Sequence, residues 1–206
     1  MTKNIGWKLA LVLVLLPLSA VAQAPFSTAS GPSITASVGY SYLNIPIASS
    51  RIDMNGLGAS VTADFRSRFG AKLDLNYVRQ SNLFGTGHHG DLLSGMLGPM
   101  YYPVSNDRLA VYVQVLAGDS RATGVIPTGA GKFTTAYTDG LCWAVGAGLE
   151  RSISSTLAVR TETDYMRTSF IDSSGAFRGQ NDLRITGSLV YRWHWHSELR
   201  HEHKRF

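Results

Sequence analysis

The feature that most constrains this chain is a period of two. From Ser33 onward, apolar residues alternate with polar or small ones through eight successive segments. That is the repeat of a β-strand, whose side chains point alternately to opposite faces, and it differs from the repeat of about 3.6 residues that marks a helix. The first segment sets Ile34, Ala36, Val38, Tyr40 and Tyr42 against Thr35, Ser37, Gly39 and Ser41. The second sets Leu57, Ala59, Val61, Ala63 and Phe65 against Ser60, Thr62, Asp64 and Arg66, and the third Leu73, Leu75 and Tyr77 against Lys72, Asp74 and Asn76. The fifth carries Val111, Val113 and Val115 opposite Tyr112 and Gln114, and the sixth Trp143, Val145 and Leu149 opposite Cys142, Gly146, Gly148 and Glu150. In the seventh, Leu157, Val159 and Tyr165 oppose Arg160, Glu162 and Asp164. The eighth alternates most plainly, with Leu183, Ile185, Gly187, Leu189, Tyr191, Trp193 and Trp195 opposite Arg184, Thr186, Ser188, Arg192, His194 and His196. The fourth segment, Leu92 to Tyr102, is broken by Gly95, Gly98 and Pro99, and because proline withdraws a ladder donor a bulge is expected there.

The N-terminus departs from this pattern. Lys3 and Lys8 precede an apolar run from Leu9 to Leu16, then Pro17, then Ala20 and Ala22 at a small-x-small site. This is the order of a secretory signal peptide cleaved after about Ala22, and the run falls short of the roughly 20 residues a spanning helix needs. The expected organisation is a signal peptide at 1–22, a short N-terminal segment at 23–32, a β-barrel at 33–196 and a polar tail at 197–206. With no other long apolar run, any membrane span has to be made of strands, since only helices and closed barrels satisfy every backbone group in lipid. The lone cysteine, Cys142, excludes an internal disulfide framework and any cysteine-based metal centre.

The two faces are distributed the wrong way round for a soluble barrel. One face is apolar along every segment, while the other gathers Asp64, Arg66, Lys72, Asp74, Glu150, Arg160, Glu162, Asp164, Arg184 and Arg192, with both signs nearly balanced. An eight-stranded barrel has an interior just wide enough to be filled by side chains. A barrel with lipid outside would therefore turn this charged set inward as a structural network of ion pairs, because buried charges have to be matched. Arg160, Glu162, Asp164 and Arg184 are the expected centre of that network. The aromatic residues fall toward the strand ends: Tyr40, Tyr42, Tyr77, Tyr137 and Tyr165 near the loop ends, and Phe65, Tyr101, Tyr191, Trp193 and Trp195 near the turn ends. Trp143 lies nearer mid-strand. Two such girdles are expected at the two membrane interfaces.

The connections also alternate. Long ones are expected near Asn44 to Asp53, Gln80 to Asp91, Asp119 to Ala136 and Ser169 to Asn181, and short turns near Arg68, Ser105 and Ser154. Long extracellular loops and short periplasmic turns have this order in outer-membrane barrels. The chain resembles the small OmpA/OmpX-type barrels, and the resemblance implies an all-β, eight-stranded antiparallel up-and-down transmembrane barrel in the bacterial outer membrane. The stretch Gly187 to Trp193, with Tyr191 between, is similar to the C-terminal signal by which such proteins meet the outer-membrane assembly machinery. The polar stretch Ser197 to Arg205 ahead of Phe206 departs from that family's usual aromatic ending.

The expected partners are outer-membrane lipid and that machinery, with no cofactor. A nucleic-acid partner is not expected: loss of Lys3 and Lys8 lowers the formal charge from +5 to +3, and no basic stripe is interleaved with aromatics. His88, His89, His194, His196, His201 and His203 lack the carboxylate company of a functional metal site. No stretch matches a catalytic motif, so the expectation is a non-enzymatic barrel with a structural or envelope-stabilising role. An adhesion barrel using the Asp119 to Ala136 loop, a lipid-A-modifying enzyme and a narrow channel are the alternatives.

Overall fold

The computed structural model describes residues 33–47, 50–65, 68–82, 87–106, 108–129, 132–171 and 177–193. Eight strands run in chain order: β1 Ser33–Ile47, β2 Ser50–Asp64, β3 Phe69–Gln80, β4 Gly90–Ser105, β5 Leu109–Gly129, β6 Lys132–Ser152, β7 Leu157–Ile171 and β8 Phe177–Trp193. Each pairs antiparallel with the next, and β1 closes on β8, so the sheet has no free edge. The fold is thus the closed eight-stranded barrel that the period-two pattern implies. The segments expected at 1–22, 23–32 and 197–206 lie outside the described residues, as do Arg66 and the stretch from His194 onward.

The outward positions form a continuous apolar band. On β1 they read Ile34 to Tyr42, on β2 Phe65 to Leu57, and on β3 Phe69 to Tyr77. On β5 and β8 they read Leu109 to Ala117 and Trp193 to Leu183. Each run covers about nine residues or slightly more, the length a tilted strand needs to cross the hydrocarbon core. Leu57, Leu97, Leu141 and Val38 are all more than half exposed, an arrangement that water would penalise and lipid does not. At the loop end the band stops at polar outward residues on every strand: Asn44, Asn55, Arg79, Asp91, Asp119, Asp139, Arg167 and Asn181.

Aromatic rings mark both limits. Phe69 lies 5.2 Å from Tyr101 and Tyr191 lies 5.3 Å from Trp193 at the turn end. At the loop end Trp143 lies 6.0 Å from Tyr165. Trp143 stands mid-way along the long β6 strand, opposite Arg167 near the loop-end limit of the band. Tyr137 lies beyond Asp139 and 5.5 Å from the Arg121 guanidinium, above the band.

The long loops are shorter than the sequence suggests. β1 and β2 continue to Ile47 and from Ser50, tied by hydrogen bonds from the Tyr42 hydroxyl and the Asn44 amide to Asp53, each 2.6 Å. β5 and β6 each run 21 residues, so the stretch Asp119 to Ala136 is mostly a two-stranded hairpin. The excursions still alternate, but as strand extensions. Once the strands leave lipid, both faces meet water and the hydrophobic alternation fades, although the backbone ladder continues.

The irregularity in β4 also sits elsewhere. Its pairing with β5 slips between Tyr101 and Val104, around Pro103, and not at Gly95 to Pro99. Pro99 stays opposite Ala71 on an outward position, whereas Pro103 falls where one extra residue leaves the ladder.

Candidate functional site

Inside the barrel the inward positions form two tiers. The tier nearer the loops is apolar and includes Leu43, Ile45, Met54, Val78, Leu92, Met96, Leu116 and Met166, with Cys142 and Ala144 beside them. Charge therefore fills only part of the interior, and the loop-end tier is apolar. Leu43 follows the first segment and Met54 precedes the second, and apolar residues at the edge of a segment do not announce that they face inward.

The tier nearer the turns is a lattice of charges. Arg184, 1% exposed, donates from Nε and Nη2 to Asp164 Oδ2 at 3.0 and 2.9 Å, and from Nη1 across the lumen to Asp74 Oδ1 at 2.5 Å. Lys72, fully buried, lies 3.2 Å from Asp74 and donates to Glu162 Oε1 at 2.5 Å. Gln114 donates to Asp164 at 2.6 Å, and the Tyr112 hydroxyl donates to Glu162 at 2.5 Å. A second group lies alongside. Arg160 donates twice to Glu150 Oε2, at 2.9 and 2.6 Å, and Arg192 twice to Glu150 Oε1, at 3.2 and 2.6 Å.

The first group holds two cations against three carboxylates and the second two cations against one, so together they balance. They meet where the Arg160 guanidinium lies 5.6 Å from the Tyr112 ring centroid. Small residues make the room. A Cβ on Gly146 would fall 1.9 Å from Asp164 Oδ1, and one on Gly148 would fall 2.3 Å from the Tyr112 ring. Two inward glycines on β6 are thus the counterpart of the large polar side chains opposite them.

Of the residues singled out by sequence, Lys72, Asp74, Glu150, Arg160, Glu162, Asp164 and Arg184 come together here. Within the expected centre Arg184 pairs with Asp164, while Arg160 engages Glu150 and Glu162 engages Lys72 from the far side of the barrel. Asp64 stands apart, accepting from the Tyr102 and Ser33 hydroxyls at 2.7 and 3.2 Å. Arg192, already on the expected charged face, joins them at Glu150, and Tyr112 and Gln114 join the lattice, their inward parity being the available signal. Gly187, Tyr191 and Trp193 face outward on β8, the strand that closes the barrel against β1. Near the mouth, His89 lies 3.5 Å from Asp91.

A closed barrel with an apolar belt outside and matched charges inside is the inverse of a water-soluble one, and it defines a membrane-spanning outer-membrane barrel. A family model described as outer membrane protein beta-barrel domain matches residues 9–192, and the chain belongs to that family. Its place is the bacterial outer membrane. Among solved structures it is similar to Ail, the attachment invasion locus protein of Yersinia pestis, at 13% identity and a TM-score of 0.57, covering 79% of this chain and 99% of that one. It is also similar to Neisserial surface protein A, at 10% identity and a TM-score of 0.64, with the same coverage of 79% and 99%. At such identities the likeness is one of fold. No curated protein sequence matches the chain.

Proposed function

We propose that this protein is a structural barrel of the outer membrane, non-catalytic and closed to diffusion, that stabilises the envelope and presents its loop end for binding. The observation that carries this reading is the charge lattice. Arg184 and Lys72 span from one wall to the other, with sequence separations of 110 and 90 residues, and they fill the cross-section where a channel would have to pass. Moving an ion through would require parting buried pairs that have lost their water, a step worth several kcal/mol. The test is conductance of the purified full chain in planar lipid bilayers, beside the detergent sensitivity of cells lacking it. The reading expects no steady pore conductance and a leakier envelope; open-pore currents or an unchanged envelope would sink it.

A second reading, adhesion, is favoured by the β5–β6 hairpin. It continues past the apolar band and carries the exposed group Arg121, Tyr137 and Asp139, with Arg121 Nε donating to Asp139 at 2.6 Å. Ail, of the same fold, is titled an attachment invasion locus protein. Loss of cell or matrix binding on shortening this hairpin, with the barrel intact, would favour adhesion over a purely structural role.

A further inference from the structure

The apolar tier of the lumen does not end in a sealed core. At the loop end a cavity of about 110 Å³ opens between β1, β2, β4 and β5 on one side and β7 and β8 on the other. Its floor and near wall are apolar: Ile45, Met54 and Leu92 are buried, and Ile52 and Ala122 are partly exposed at the mouth. An apolar surface facing an aqueous mouth is unfavourable unless something covers it. The far wall differs in kind. Thr168 and Gln180 line it, and behind them Asp182 is 2% exposed. The Gln180 amide donates to Asp182 at 3.0 Å and the Thr168 hydroxyl at 3.4 Å. Both partners are neutral, whereas Asp74, Glu150, Glu162 and Asp164 in the tier below each face a cation. Asp91 also borders the mouth, but its carboxylate turns outward to the Tyr77 hydroxyl and Arg79.

We infer that this mouth is a blind binding site for a small amphiphile with a short apolar body and an ammonium head. The body lies on Ile45, Ile52, Met54, Leu92 and Ala122, and the head is drawn toward Asp182, behind Thr168 and Gln180. Size and charge both point to this class. A dry cavity of about 150 Å³ accepts benzene, so the present volume holds about four carbons of a short chain, the remainder lying at the mouth. The Asp182 carboxylate, held by neutral donors, favours a cation over a neutral alcohol and rejects a carboxylate, which would be left beside like charge. The charge lattice forms the floor of the lumen, so the ligand binds and leaves by the same mouth. The site needs neither the envelope role nor adhesion.

The experiment is methyl NMR on the full chain in lipid nanodiscs, titrated with n-hexylammonium, n-hexanol and n-hexanoate. Met54 reports on the cavity, and Met100, buried toward the turn end, serves as an internal control. The inference expects a saturable shift at Met54 with Met100 unmoved, strongest for hexylammonium, weaker for hexanol and absent for hexanoate. Ala122→Trp, which fills the mouth, should abolish the shift. Asp182→Asn, nearly isosteric, should weaken hexylammonium by about tenfold and leave hexanol unchanged. Heat-modifiable gel migration checks that each variant forms the barrel, and the order of the three probes on the unaltered protein tests the inference without any variant. Shifts that never saturate, that reach lipid-facing Leu57 and Leu97 equally, that survive in folded Ala122→Trp, or that hexanoate matches would overturn it.

Discussion

At the scale of single residues, Arg184 holds the most concentrated set of interactions, since its guanidinium joins β8 to Asp164 on β7 and to Asp74 on β3. Replacing one partner of a buried pair leaves the others charged and dry, so Arg184→Met should lower stability by about 3–5 kcal/mol. Urea unfolding of the refolded barrel, followed by tryptophan fluorescence, checks this. Removing Asp74 and Asp164 as well, as asparagines, should recover part of the loss, because no carboxylate is then stranded. Gly148 makes a separate case. Its missing Cβ leaves room for Tyr112, so Gly148→Ala should destabilise by about 1–3 kcal/mol, and by clearly less when Tyr112→Leu is present. Equal losses in the two backgrounds would mean that Tyr112 is not the neighbour that matters.

At the scale of elements, a strand's behaviour changes where it leaves the apolar band. Leu189 faces lipid within β8, and Leu189→Arg should cost about 2–4 kcal/mol near the midplane. Thr123 on β5 lies past Asp119, where the band has ended, and Thr123→Arg should leave unfolding almost unchanged. The same boundary predicts that residues 123–137 can be replaced by a two-residue Asn-Gly turn without loss of heat-modifiable migration. Failure of that shortened chain to form the compact band on gels would show that the hairpin supports the barrel. Here the sequence misled in an instructive way. The stretch Asp119 to Ala136 lacks hydrophobic alternation and reads as loop, but its backbone continues the β5–β6 ladder because strand pairing does not require lipid on either side.

At the scale of the molecule, stability comes from a closed ladder around a filled lumen, and the lattice within it is shielded from water. Salt screens exposed pairs within about 3 Å at 1 M but reaches buried ones poorly. Raising NaCl from 0.1 to about 1 M should therefore shift the unfolding midpoint little, as urea titrations at the two concentrations would reveal. A large loss of stability in salt would mean that the lattice is open to solvent.

The sequence alone determined the strand count, the parity of nearly every inward and outward residue, and the inversion that places the apolar face toward lipid. These follow from local chemistry, since a period of two and a band of about nine residues can be read from one strand at a time. The tertiary structure decided what depends on closure. Sequence does not say which of several balanced charges face one another across a lumen, so Lys72 finding Glu162 and Arg160 finding Glu150 had to await the stagger of the strands. Nor does it reveal that Leu43, Met54, Leu92 and Met166, far apart in the chain, meet at one height inside the barrel. The shear that sets those heights belongs to the closed sheet as a whole and to no single segment.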